Sequence, residues 1–280
     1  AGINFIDTAD QYNAGKSEEI LGELIRGHRD DLVIATKCFN PTGSDVNARG
    51  ANRRHVRRAV EASLKRLGTD RVDVLFLHHY DARTPLEEHM RSLEDIVRAG
   101  KALYGAVSNY SAWQTQAALG YQERNGWAPL QVIQPMYSLV KRQAEVELLP
   151  MAQANGLGVV AYSPAGGGLL SGRYLQAGAT GRHTTNKMYK ARYSVEWMHE
   201  TAPKFVEFCK ERSWHPMSAA VAWVGAHPAI TAPIIGARSL DQLQASLDSV
   251  KISMTPEVRS QIAAFSRTPP PATDRTDEQK

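Results

Sequence analysis

Seven short apolar runs punctuate the chain, at 4–9, 32–37, 72–78, 103–108, 130–134, 158–163 and 230–236. Each reads as a continuous apolar stretch rather than an alternating one, the pattern of parallel strands covered on both faces. The runs end near residues 7, 37, 78, 108, 134, 162 and 235. The first five spacings suit right-handed strand–helix–strand units. The last is far longer and predicts an insertion, around residues 175–195.

Helical periodicity fills the gaps. Residues 53–67 put Val56, Val60, Leu64 and Leu67 on one face, and Gly68 supplies the stop. Thr84-Pro85-Leu86-Glu87 predicts a capping box with Pro at the first helical position. Its helix would turn Met90, Leu93 and Val97 inward and end at Gly100. Ser111-Ala112-Trp113-Gln114 opens another helix in the same way, and Thr255-Pro256-Glu257 starts a last one reaching about Phe265.

This rhythm predicts an α/β chain, a single (β/α)8 TIM barrel domain over 1–267, with a Pro-rich disordered tail over 268–280. A doubly wound open sheet is the alternative, but its G-x-G-x-x-G fingerprint occurs nowhere here. No eighth run follows Gly236, and the chain enters an apolar run at once from Ala1. The expectation is therefore a barrel whose first strand and helix precede residue 1, leaving open sheet edges.

Composition narrows the function classes. Charged residues make up 22% of the 280 and hydrophobic ones 42%, which excludes wholesale disorder. The net charge is +4, yet no Lys/Arg cluster is interleaved with aromatics, so nucleic acid is not an expected partner. No apolar run approaches membrane-spanning length. Two cysteines, Cys38 and Cys209, form no disulfide framework, which suits a reducing, cytoplasmic setting. The nine histidines show no metal-ligand spacing, so no metal is expected.

In a barrel of this kind, chemistry sits where strands end. Those positions here hold Asp7, Lys37, His78, Ser108 and Asn109, Gln134, then Tyr162 and Ser163. Each has a bland reading: Asp7 as a helix cap, Lys37 snorkelling from the rim, His78 and His79 as satisfied rim histidines. Tyr12 alone would pack a loop, and glycines 166–168 would make a plain flexible turn. Buried strands have little reason to end repeatedly in titratable groups unless those groups are paired and used.

The residues resemble a known family. Gly2-Ile3-Asn4-Phe5-Ile6-Asp7-Thr8-Ala9, with Tyr12 and then Ser17-Glu18 and Leu21-Gly22, is similar to the opening signature of the aldo-keto reductases. Lys37 closing Val33-Ile34-Ala35-Thr36, His78 closing Val72-Asp73-Val74-Leu75-Phe76-Leu77, and Gly105-x-Val107-Ser108-Asn109 resemble further family blocks. So do Gln134-x-x-Tyr137-Ser138-Leu139, Ala161-Tyr162-Ser163-Pro164 and Ile235-Gly236-Ala237-Arg238, all in family order. The resemblance implies NADPH-dependent reduction of an aldehyde or ketone, with NADH as the alternative cofactor and a small carbonyl compound as the partner. It implies a catalytic tetrad of Asp7, Tyr12, Lys37 and His78. It implies that Ser108, Asn109 and Gln134 hold the nicotinamide carboxamide and that Tyr162 stacks on its ring. Ser163 and the 166–169 turn, with Gly166, Gly167 and Leu169, would lie near the pyrophosphate. Gly236 and Arg238 would meet the adenosine 2′-phosphate. Gln242 and Ser246 stand at the adenine positions, where relatives carry charged residues or Asn. Tyr80 stands where many relatives have Pro.

The chemistry is coherent with those residues. A phenol with pKa about 10 is a weak acid near neutrality unless its anion is favoured. An ammonium about 4 Å away contributes on the order of 4 kcal/mol at an effective dielectric near 20. Lys37 would supply that charge, Asp7 would aim it, and a neutral His78 would polarise the substrate oxygen. By strand alternation His78 and His79 should face opposite sides. Two other readings stay open: a cofactor-sensing channel-associated subunit on the same fold, and a Schiff-base lyase built on Lys37. Substrate identity and oligomeric state are not legible.

Overall fold

A computed structural model describes residues 1–176 and 178–273. The chain divides into two compact units, 1–134 with 155–157, and 135–154 with everything from 158 onward. Seven strands occur among the described residues, each within the run predicted for it or one residue beyond it.

The first unit holds five parallel strands in sequence order: β1 (Phe5–Asp7), β2 (Val33–Cys38), β3 (Val72–Leu77), β4 (Ala102–Ser108) and β5 (Val132–Gln134). Between them run α1 (Lys16–Leu24), α2 (Arg53–Leu67), α3 (Leu86–Arg98) and α4 (Ala112–Asn125). The register sets Asp7 beside Ala35, Lys37 beside Phe76, and Ser108 beside Gln134. Polar strand ends are thus brought to one edge of one sheet, above a core of residues such as Ile34, Val74, Leu75 and Phe76.

Local signals account for the helix ends. Asn52 accepts from the His55 N–H and Gly68 closes α2 in the left-handed region, while Val56, Val60, Leu64 and Leu67 are buried as predicted. Ser111 and Gln114 form the predicted reciprocal capping box. Gly22 lets two helices approach closely: a Cβ there would stand 2.6 Å from the Arg66 carbonyl oxygen. Only glycine lets α1 lie on the end of α2.

Three expectations are corrected. Thr84 caps nothing, because its hydroxyl donates to Asp81 at 2.8 Å, and Pro85 takes the position before α3. Ile96 rather than Val97 is buried beside Met90 and Leu93, since the helix turns its face by one residue. Leu103 and Tyr104 are about half exposed, so only the second half of β4 is covered on both faces.

The second unit contains β6 (Gly158–Ala161) paired in parallel with β7 (Ala232–Pro233). Its helices are α5 (Leu148–Ala154), α6 (Arg182–Thr185), α7 (Lys187–Arg192), α8 (Glu196–Glu211), α9 (Pro216–Gly225), α10 (Leu240–Leu247) and α11 (Pro256–Ala263). The predicted insertion is the segment carrying the short α6 and α7. Trp223 anchors this unit: it is fully buried, stacks on Tyr137 at 5.4 Å and donates to the Arg259 carbonyl. Thr255 caps α11 as predicted. Residues 268–273 form no helix or strand; the rest of the expected tail, 274–280, lies outside the described residues.

Candidate active site

Lys37 ends β2 with its side chain wholly buried. Its Nζ donates to Asp7 Oδ2 at 2.5 Å and to the Thr8 carbonyl at 2.9 Å. Burial pulls the Lys37 pKa down from its ordinary value, and the Asp7 carboxylate opposes that. A buried ammonium is tolerated only with such partners. Gln134 Nε2 donates to the other oxygen, Asp7 Oδ1, at 2.9 Å. The carboxylate is therefore held on both sides and cannot swing away from Lys37.

Tyr12 opens a one-turn segment after β1, in which Asn13, Ala14 and Gly15 all adopt left-handed backbone angles. Non-glycine residues reach this region at a cost, and such strain clusters at functional sites. The turn leaves Tyr12 about one-third exposed, with the Lys37 ammonium 5.2 Å from its ring centre. The His78 ring meets it edge to face at 5.9 Å.

His78 follows β3 and is nearly buried. Burial first, then the Lys37 charge and His79, push its pKa down to about 3. It is a neutral imidazole throughout the physiological range. Asn40 Nδ2 lies 3.5 Å from His78 Nδ1, which suits a tautomer carrying its proton on Nε2. His78 and His79 do not face opposite sides: their rings stack at 5.0 Å, with 12° between the planes. Alternation holds only inside a strand, and β3 stops at Leu77.

Ser108, Asn109 and Gln134 complete this edge. Ser108 Oγ donates to the Gln134 carbonyl at 2.9 Å, and Asn109 Nδ2 donates to the His78 carbonyl at 2.9 Å and meets Ser108 Oγ at 3.0 Å. Asn109 sits at φ 58, left-handed, directly after β4. All seven residues predicted in this unit are thus connected through direct contacts.

The second unit holds the other predicted residues. The Tyr162 N–H donates to the Pro135 carbonyl, and Ser163 is left-handed at φ 60. Gly166, Gly167 and Gly168 follow with φ of 60, 65 and 98. A Cβ on Gly167 would stand 2.8 Å from the Tyr189 ring, so the turn must stay bare backbone. Leu169 is buried beneath it. Gly236 and Arg238 are exposed, the Arg238 N–H meets Gln242 Oε1 at 3.2 Å, and Ser246 is buried against its own helix.

Sequence reasoning passed over Asp10, Glu18 and Asp81. Asp81 accepts from the Ala51 and Arg83 N–H groups and from Thr84, tying together two loops beyond β2 and β3. Glu18 is fully buried, takes the Thr36 hydroxyl at 2.5 Å and pairs with Arg66 at 2.7 Å. The signal for both acids near Tyr12 was available: charged residues flanking a motif, too many for one solvated loop.

Comparison with known proteins identifies the family. The aldo/keto reductase family model matches residues 1–267. The chain belongs to the aldo/keto reductase family. It is 40% identical to an uncharacterized oxidoreductase, YrpG, of Bacillus subtilis (strain 168), over 92% of this chain and 81% of that one. It is 34% identical to versiconal hemiacetal acetate reductase of Aspergillus parasiticus, over 91% and 80%. It is also 32% identical to a probable voltage-gated potassium channel subunit beta of Oryza sativa subsp. japonica, over 98% and 86%. As an aldo/keto reductase the chain is an NAD(P)H-dependent oxidoreductase, which sets the lyase reading aside. Among the described residues, no helix is long and apolar enough to cross a membrane.

Proposed function

We propose that this aldo/keto reductase reduces an aldehyde or ketone to an alcohol with Tyr12 as the general acid, using NADPH in preference to NADH. The observation that carries the reading is Lys37: a wholly buried ammonium held by Asp7 and set 5.2 Å from the Tyr12 ring. Tyr12 Oη gives its proton to the carbonyl oxygen, and the Lys37 charge stabilises the phenolate left behind. Asp7, braced by Gln134, keeps that charge in place. Neutral His78 donates from Nε2 to the same oxygen and orients it. A reduced nicotinamide, when bound, would supply the hydride that the carbonyl carbon accepts.

The donor chemistry of the chain fits such a cofactor in kind. Ser108, Asn109 and Gln134 are the amide and hydroxyl groups that a carboxamide requires. In the second unit, the bare glycine turn at 166–168 is the sort of backbone cradle that approaches phosphates. We assign that turn, with Ser163, to the pyrophosphate and Arg238 to the 2′-phosphate. Tyr162 is assigned to the nicotinamide ring, and Gln242 and Ser246 to the adenine end.

The test is a panel of reactive aldehydes, including 4-nitrobenzaldehyde, assayed with NADPH and with NADH. Turnover with NADPH, faster than with NADH, is the expected result. The likeness to potassium-channel β subunits supports a second reading, a regulatory subunit that binds the cofactor. Tight NADPH binding with no turnover across the panel would favour it and sink the first.

A further inference from the structure

Asp10 lies three residues after Asp7, in the segment between β1 and the Tyr12 turn. It is 3% exposed, and among the described residues no side chain donates to either carboxylate oxygen, the Gln11 backbone N–H being the one donor near them. Its backbone N–H donates to the Lys37 carbonyl at 3.0 Å, which fixes it against β2. A buried, unpaired carboxylate is among the costliest groups a fold can hold, and it is relieved by taking up a proton. The charged and titratable groups around it are Glu18 from α1, Arg66 from α2, and Lys37 and Cys38 from β2. Lys37 and Arg66 are already matched by Asp7 and Glu18 through direct ion pairs. The cluster is therefore balanced when Asp10 is neutral and carries one excess negative charge when it ionises. Burial and then the Glu18 carboxylate raise the Asp10 pKa to about 7, while Arg66, the Gln11 backbone N–H and Lys37 pull the other way.

Resting on the carbonyl-reductase reading above, we propose that Asp10 is a positioning residue of this site, an internal carboxyl whose protonation controls how strongly Lys37 favours the Tyr12 phenolate. Neutral Asp10 adds no second negative charge beside Lys37, and Tyr12 is then the stronger acid. Ionised Asp10 offsets that charge, and Tyr12 becomes the weaker acid and its phenolate the stronger base. The same site therefore leans toward carbonyl reduction on the acid side of the Asp10 titration and toward alcohol oxidation on the alkaline side. A unit charge about 8 Å away at an effective dielectric near 20 moves a pKa by on the order of one unit.

Three measurements on the full chain test this. Infrared spectra of cofactor-free protein should show a protonated carboxyl band at pH 5.5 that disappears with a midpoint near neutrality. That band should be absent from Asp10→Asn, and Glu18→Gln should move its midpoint to lower pH. The Tyr12 phenolate, read as the ultraviolet difference between each protein and its Tyr12→Phe counterpart, should form about one pH unit lower in Asp10→Asn. The wild-type rate of aldehyde reduction should step down as Asp10 ionises, with KM within twofold, and Asp10→Asn should lack the step. No titrating carboxyl band in the wild type, or the same Tyr12 ionisation with Asp10 and with Asn, overturns the proposal. The spectroscopic arms need no turnover, so a protein that reduces no aldehyde would refute the proposed activity while leaving Asp10 to be judged separately.

Discussion

The Lys37 ammonium lies 2.5 Å from Asp7 Oδ2 with none of its own side chain exposed. Each charge is there because of the other. Truncating Asp7 to Ala leaves a buried cation without its counterion and should destabilise the fold by about 3–5 kcal/mol. Combining it with Lys37→Met should recover much of that loss, because an apolar chain of similar length replaces the unpaired charge. Urea unfolding of the two single variants and the double variant checks both halves. A double variant no more stable than Asp7→Ala would show that the two residues are not coupled.

Tyr12 is the most exposed residue of the proposed tetrad, at 38%. Its phenol is the proton source in the proposed reaction, and its loss should not disturb residues that hold a cofactor. Tyr12→Phe is expected to lower kcat by 10²-fold or more, on the order of general-acid contributions. NADPH affinity, measured by fluorescence titration, should stay within a few fold. A variant keeping a tenth of the wild-type kcat would remove Tyr12 from the mechanism.

The His78 pKa of about 3 makes a stability prediction with a definite sign. An unfolded His binds its proton near 6.5, so below that pH the unfolded chain takes up a proton that the folded chain refuses. Stability should therefore fall as pH drops from 6.5 toward 3. His78→Gln lacks this step. Between pH 7 and pH 4.5 the wild type should lose about 2–3 kcal/mol more than the variant. Parallel unfolding curves at the two pH values would contradict the neutral, buried imidazole. The same assignment predicts that no His78 ionisation appears in the rate profile above pH 5.

Arg238 is exposed on the segment between β7 and α10. A guanidinium pairs bidentately with a phosphate that NADH lacks. Arg238→Ala should weaken NADPH binding by at least tenfold and leave NADH binding within about twofold, roughly the strength of a charge-assisted pair. Equal losses for both cofactors would reduce Arg238 to a solvated surface residue.

The sequence by itself determined where strands and helices lie and which polar residues stand at strand ends. Apolar runs of strand length, capping residues such as Asn52 and Ser111, and stop glycines such as Gly68 act over a few residues, so their meaning is local. Asp7, Lys37 and His78 were legible as polar strand ends for the same reason, whereas Tyr12 stood out only through the resemblance to the aldo-keto reductases. Thr84 shows the limit of local signals: its hydroxyl found Asp81 instead of the helix start that the four-residue pattern promised. Only tertiary structure decided that Lys37 would be wholly buried, that Gln134 would brace Asp7 from 127 positions away, and that His78 and His79 would stack. It alone decided that Asp10 would be enclosed with no side-chain donor for its oxygens among the described residues. Desolvation and pairing depend on what distant segments bring to the same place. A residue's charge state is therefore a property of the packed neighbourhood, whereas its place on a strand or helix is largely a property of the residues beside it.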